Sequence, residues 1–213
     1  MGYYDEEKIK QRTSPDASIP YYLTRGYIDP KDSVLDIGCG NGRNVTWLLR
    51  NGIKKVLGID KNLKADMTGI GKEIYEDLPI IEGDMARTPL LDDEFDVILL
   101  NSVLHFSQIP ERYDPDKPLP LLSYVLDEME RITIPRARII VSEYSNQSTH
   151  PDFRRYIDEL GCITAEDIKD EFERRGYKRL DIKGPVSYGG TVPDDTNSEG
   201  KLFLWFAYRM GGG

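Results

Sequence analysis

Cysteine is scarce in this chain of 213 residues: Cys39 and Cys162 are the only two. One pair cannot build a disulfide framework, so a reducing, cytoplasmic setting is the expectation. Histidine is equally scarce. His105 and His150 stand far apart, and with the two cysteines they offer no metal-ligand spacing, so no metal is expected. No apolar run approaches the ~18 residues of a spanning helix, and the opening "MGYYDEEKIK" lacks the apolar stretch of a signal peptide. A membrane role is therefore not expected. Basic charge is in deficit too. Lys and Arg number 28 against 37 Asp and Glu, a net charge of −9, and the bases are interleaved with acids, as in "EDIKDEFERRGYKRLDIKG". A nucleic-acid partner calls for a basic surface that displaces phosphate counterions, so the expected partner is a small molecule or a protein.

What the chain does contain is an alternation of short β-branched runs with helical spacings. Val34–Ile37 reads as a buried strand, followed by a helix face at Val45, Leu48 and Leu49 that ends near Gly52. Lys55–Asp60 is a second strand, residues 62–76 a weak helix, "LPIIEGD" a third strand, and "FDVILLNSVLHF" opens with a fourth. The proline-rich "SQIPERYDPDKPLP" cannot be regular helix. Beyond it come an amphipathic helix in "LLSYVLDEMERI", a fifth strand in "ARIIVSEY", and a helix opened by the capping pair Thr164 and Asp167 that stops near Gly176. "YKRLDIKG" and "KLFLWFAYR" are two closing strands with no helix between them, so the last is expected to run antiparallel. The fold class is α/β, doubly wound around a mostly parallel sheet. The expected organisation is one domain over residues 1–210. It comprises an N-terminal helical cap or lid (1–30), a cofactor-binding core (31–145) and a C-terminal substrate-side half (146–210). Gly211–Gly213 reads as a tag or linker.

The stretch "SVLDIGCGNGRNVTWLLRNG" is the most informative. A strand, a turn with Gly38, Gly40 and Gly42, and a helix start let a ligand approach backbone closely and offer free N–H groups to it. Asp60 ends the second strand, where a carboxylate can accept both hydroxyls of a ribose. Asp84 ends the third, within reach of an adenine amino group, with Met85 against the ring. A nicotinamide dinucleotide and S-adenosylmethionine both suit that cleft. Dinucleotide loops, however, place their third small residue on the helix, where this chain has Arg43. Asp36, just before the glycines, would also repel a pyrophosphate and suits a ligand bearing ammonium and sulfonium charges.

"VLDIGCGNGRN" closely resembles motif I of class I S-adenosylmethionine-dependent methyltransferases. The resemblance continues through "VLGID", "EGDMARTPLLDDEFDVILLNSVLHF" and "LDEMERI…ARIIVSE", roughly residues 30–145. It implies a seven-stranded sheet with strand seven antiparallel between five and six. It further implies S-adenosyl-L-methionine as cofactor and S-adenosyl-L-homocysteine as product. By position, Asp36, Gly38, Cys39 and Gly40 would line the methionine portion, and Asp60 would hold the ribose. Lys61 would flank the adenine, Asp84 and Met85 would contact it, and Asn101 and Ser102 would face the reacting methyl. "TIPRAR" departs from the family's turn before strand five, and "NSVLHF" lacks the signature of amino-directed nucleic-acid members. "GRN" and "LHF" are similar to small-molecule members of the tellurite-resistance and thiopurine type.

Methyl transfer needs alignment, exclusion of water and the management of one proton. His105, past the fourth strand, is the expected general base, and Tyr144 at the end of the fifth would wall the acceptor pocket beside Glu143. Tyr3, Tyr4, Tyr21 and Tyr22 make the leader aromatic, either as a lid over the cofactor or as packing on the sheet flank. His150 reads as a loop residue. The competing readings are a non-catalytic module on the same fold, an aminopropyl-type transferase, and a nicotinamide oxidoreductase. The last is weakened because its Tyr27-x-x-x-Lys31 contains Pro30 and precedes the first strand.

Overall fold

The computed structural model describes residues 14–61, 78–107, 121–187 and 202–211. The expected helix at 62–76, most of the proline-rich segment, Tyr3, Tyr4 and the loop before the last strand lie outside them.

Seven strands form one sheet in the order β3-β2-β1-β4-β5-β7-β6. They are β1 (Ser33–Ile37), β2 (Lys55–Asp60), β3 (Ile80–Glu82), β4 (Phe95–Asn101), β5 (Thr133–Tyr144), β6 (Lys178–Ser187) and β7 (Leu202–Arg209). β1 to β5 pair in parallel, while β7 lies antiparallel between β5 and β6. A strand buried on both faces needs apolar residues without alternation, which is why "VLDI" and "FDVILL" read as continuous runs. One residue set, Leu35, Ile37, Ile98, Leu100, Ile139 and Val141, packs with α3 (Leu122–Ile132) and α5 (Ala165–Arg174). The alternate set, Val34, Val97, Leu99 and Ile140, packs with α1 (Ser18–Thr24) and α2 (Arg43–Arg50). Strand order reverses between β1 and β4, and in open α/β sheets the ligand crevice lies at the carboxyl ends flanking such a reversal.

The expected cap on α5 is present as a reciprocal capping box. The Asp167 N–H donates to the Thr164 hydroxyl, and the Thr164 N–H donates to Asp167. The sequence predicts a rebuilt turn at "TIPRAR", and the structure has strand there instead. α3 runs directly into β5 at Thr133, which pairs with Phe95 before the register slips at a bulge and Arg136 adopts φ +68°. A helix missed by the periodicity, α4 (Pro151–Asp158), follows His150, which lies outside it in the loop as expected and is buried.

Behind the site, Glu128 of α3 ties down the loop after β3. It accepts from the Thr88 N–H and hydroxyl and from the Arg131 guanidinium. Burial alone would raise this carboxyl, but the Arg131 and Thr88 hydrogen bonds prevail and hold it at about 2. Its contribution is therefore complete above the ordinary carboxylate range and is lost as pH falls through that range toward 2. Between pH 6 and pH 3 the wild-type melting temperature should fall several degrees further than that of Glu128→Gln. Parallel slopes in calorimetric scans would remove Glu128 from the acid response.

Candidate active site

The glycine turn between β1 and α2 is built from three left-handed positions, Gly38 (φ +71°), Gly40 (φ +53°) and Gly42 (φ +75°). Their neighbourhoods differ. A Cβ on Gly38 would lie 2.4 Å from Val103 Cγ2, and one on Gly42 would lie 2.5 Å from Ile80 and Leu78. A Cβ on Gly40 would meet nothing within 4 Å. Gly38 and Gly42 thus close the turn against the protein, and Gly40 turns a bare face outward to the cleft. The Cys39 thiol is buried in the α1–α2 core, packed beside Gly58, so it is not a cleft group.

Asp36 is 1% exposed, and one of its oxygens, Oδ2, has no partner. The other accepts from Asn44 Nδ2 at 3.4 Å. Burial pushes this carboxyl up to about 7 against the opposing Asn44 bond and the Arg43 charge, while Asp60 and Asp16 add to the rise. Asn101, at the end of β4, accepts from the Ser18 hydroxyl at 3.2 Å, and its buried Nδ2 has no partner. No sequence pattern singles out Ser18 or Asp16. The Ser18 N–H and hydroxyl donate to Asp16, whose own N–H donates to Asn44. The lead into α1 is thereby threaded into the site. Tyr22 is fully buried and Tyr21 packs edge-on against it, so this part of the leader is packing on the sheet flank.

At the end of β2, Asp60 accepts the Gly40 N–H at 2.9 Å, which fixes the acid against the glycine turn. Lys61 is exposed and forms a 3.0 Å ion pair with Asp84, which also accepts the Ala86 N–H. Burial opposes ionisation of Asp84, yet these partners carry its carboxyl below the usual range. Lys61 and Asp84 are thus brought together as a pair, and Met85 stands half-buried beside them against the α3–α5 core.

β4 ends at Asn101, and Ser102 adopts φ +55°, a conformation uncommon for a residue with a side chain, with its N–H bonded to the Ser142 carbonyl. The chain then enters a short 3-10 turn, Leu104–Phe106, that carries His105. His105 Nδ1 lies 3.0 Å from Glu143 Oε1, and both residues are buried. Glu143 also receives the backbone N–H groups of His105 and Tyr144. With two backbone N–H groups donating to it, Glu143 is an acceptor, which favours a ring that presents a proton on Nδ1. The Tyr144 ring packs against His105 (4.8 Å), Phe153 (3.8 Å) and Phe203 (4.8 Å), an aromatic wall beside the dyad. Glu143 follows Ser142 on β5 and so points to the opposite sheet face, putting the dyad and the Asp36–Asn101 group on two sides of one strand edge.

No helix among the described residues is long and apolar enough to cross a membrane. A family model described as a methyltransferase domain matches residues 35–141. The demethylmenaquinone methyltransferase of Renibacterium salmoninarum is 28% identical over 124 residues, 58% of this chain and 44% of that protein. The mitochondrial ubiquinone biosynthesis O-methyltransferase of Saccharomyces cerevisiae is 28% identical over 191 residues, 82% of this chain and 59% of its own length. The chain thus spans about half the length of these curated relatives. Among solved structures, a SAM-dependent methyltransferase from Archaeoglobus fulgidus superposes with a TM-score of 0.64 at 18% identity, covering 98% of this chain and 100% of its own. One from Methanosarcina mazei does so at 0.65 and 16%, covering 90% and 98%. These structures share the fold. With a matched span of just over half the chain, laid on the glycine turn and the strands that carry the cleft, the protein belongs to the methyltransferase domain family.

Proposed function

We propose that this protein is an S-adenosylmethionine-dependent methyltransferase acting on a small molecule. The observation that carries the reading is the buried, half-partnered carboxylate of Asp36 beneath an open Gly40. A dinucleotide would bring a pyrophosphate to that turn, and Asp36 would oppose it. A ligand that ends in a cation is what the carboxylate lacks. The orphaned Asp36 oxygen, the bare face of Gly40 and the acid on β2 together suit S-adenosylmethionine. Asp36, Gly38, Gly40, Asn101 and Ser102 would then lie along its amino-acid end, with Cys39 contributing backbone only. Asp60 would take the ribose, and Lys61, Asp84 and Met85 would border the adenine. The names of the relatives, which concern demethylmenaquinone and ubiquinone biosynthesis, support a small-molecule acceptor. The net charge of −9 speaks against nucleic acid.

When bound, the cofactor supplies a methyl group on a positively charged sulfur. The residues of this chain hold the partners and manage the proton. Tyr144 and its aromatic neighbours would exclude water and present a flat wall to the acceptor. Nε2 of His105 would take the proton from an acceptor hydroxyl, with the imidazolium stabilised by Glu143.

Calorimetric titration with S-adenosylhomocysteine, with a nicotinamide dinucleotide as control, tests the reading. Micromolar binding of the first alone is expected, and silence toward it would remove the enzyme reading. In the same assay Asp60→Ala should weaken binding by about 1–3 kcal/mol through lost charge-assisted bonds to the ribose. An unchanged dissociation constant would put Asp60 outside the site.

A further inference from the structure

The end of the sheet away from the cofactor cleft carries a row of bases. Arg138 of β5 stands opposite Arg209 of β7, and Arg209 stands opposite Lys178 of β6. Residues paired directly across strands share a face, and like charges so placed repel. With strands about 4.8 Å apart, the row is about 10 Å long. Ser142, at the cofactor end, lies four positions further along β5, about 13 Å away. Acids outnumber bases in this chain, 37 to 28, and Arg131, Arg154, Arg174 and Arg175 each reach one. Within the row Arg138 is matched, by Asp32 at 2.7 Å. Lys178 and Arg209 are exposed and form no ion pair among the described residues.

The row borders a cleft of about 590 Å³ whose lining includes Thr133, Ile134, Arg136, Tyr177 and Met210. All three strands lead into it. Arg136 lies two positions from Arg138, Tyr177 precedes Lys178, and Met210 follows Arg209. Arg136 is exposed, forms no ion pair among the described residues, and takes its left-handed φ of +68° where β5 shifts register. An irregularity of this kind re-aims a side chain, here a guanidinium onto the cleft. Arg175 and Glu130, also on the lining, neutralise each other at 3.1 Å. Asp93 is left as the cleft's unmatched acid. It opposes an anion deep in the cleft and suits a body that offers hydroxyl groups.

We propose that this end of the sheet is a second ligand site, for a small molecule that joins a phosphate chain to a hydroxylated body, the class of the nucleoside triphosphates. The phosphates lie on Arg136, Arg138, Lys178 and Arg209, and the body lies in the cleft. Arginine forks take phosphate oxygens two at a time, and the ligand relieves the repulsion within the row. The site stands independently of the methyltransferase reading.

The test is calorimetric titration of the whole protein with guanosine triphosphate and with inorganic triphosphate. S-adenosylhomocysteine is present throughout, so that the cofactor cleft is filled. Guanosine triphosphate should bind at micromolar concentration, and inorganic triphosphate at least about fivefold more weakly because it leaves the cleft empty. Arg209→Gln and Arg136→Gln should each weaken both probes about tenfold or more. Arg155→Gln, which removes an exposed base on α4, should leave them within about twofold. Sedimentation with phosphatidylglycerol vesicles is the second arm, since a lipid phosphate would meet the same bases. Vesicle binding without binding of either soluble probe overturns the small-molecule site. Equal affinity for the two probes overturns it too, as does a loss in Arg155→Gln that matches the loss in Arg209→Gln. Silence toward both probes and the vesicles overturns the anion site altogether.

Discussion

His105→Ala is expected to lower kcat by about 10²–10⁴-fold while leaving the dissociation constant of S-adenosylhomocysteine within about twofold. The size follows from the role. A hydroxyl acceptor is a poor nucleophile until its proton begins to leave, and in the proposed role the His105 imidazole, held by the Glu143 carboxylate, would receive it. Glu143 accepts three N–H groups, two from backbone, so its position does not depend on the imidazole. Glu143→Gln removes the charge, and whichever oxygen the amide NH2 replaces no longer accepts its backbone N–H. An amide can donate as well as accept, which permits the tautomer with its proton on Nε2, and such a ring cannot act as a base. The glutamine variant should lose about 10–100-fold in kcat with KM for the cofactor unchanged. The assay is transfer of labelled methyl to the best acceptor from a screen of small hydroxyl compounds. Two variants that retain wild-type kcat would assign the dyad to folding and leave the reaction to alignment alone.

The sheet is legible in the sequence because its central strands are buried on both faces, and continuous apolar runs ended by Gly or Asp suit little else than buried parallel strands. The glycine turn is legible for a related reason. Closely spaced glycines before a helix face answer a steric requirement, and the structure shows that requirement at Gly38 and Gly42 as collisions with Val103, Ile80 and Leu78. α4 escapes the periodicity because its signal is a lone Pro151 at the first helical position, where the missing N–H costs nothing, and the following "DFRRYID" carries little apolar repeat. "TIPRAR" misleads because comparison with the family's turn before strand five leads to a loop there, whereas the strand runs through Pro135 and Arg136 with a shift of register. Asp16 cannot be read from the sequence at all. Nothing within its own segment marks it, and its role comes from partners 28 and 126 positions away, Asn44 and Ser142. Likewise Glu143 can be named as a strand-end acid, but only the 3-10 turn brings His105 onto it.

Gly38→Ala and Gly40→Ala should separate stability from binding within one turn. At Gly38 the added methyl meets Val103 Cγ2 at 2.4 Å and Val103 Cβ at 2.8 Å. Val is β-branched, with its contact atoms fixed close to the backbone, so relief requires moving the start of the Leu104–Phe106 turn itself. To that overpacking is added the cost of a left-handed alanine. Together they should destabilise the protein by about 3 kcal/mol, a fall in melting temperature of about 10 °C. Because Val103 leads into His105, the residual folded protein should also turn over poorly. At Gly40 the methyl meets no protein atom within 4 Å, so the stability cost is the conformational strain alone, about 1–2 kcal/mol. Its open face is the side on which the cofactor would approach, however, and a Cβ there would hold the ligand off the backbone that donates to Asp60. S-adenosylhomocysteine affinity should therefore fall about tenfold or more in Gly40→Ala, with a smaller thermal shift than in Gly38→Ala. Calorimetric melts and titrations on the two variants read both quantities. Equal affinities for Gly40→Ala and wild type would mean that the ligand does not pass over this glycine. The open space would then belong to solvent, and Asp36 would have to meet its cation from the α1 side.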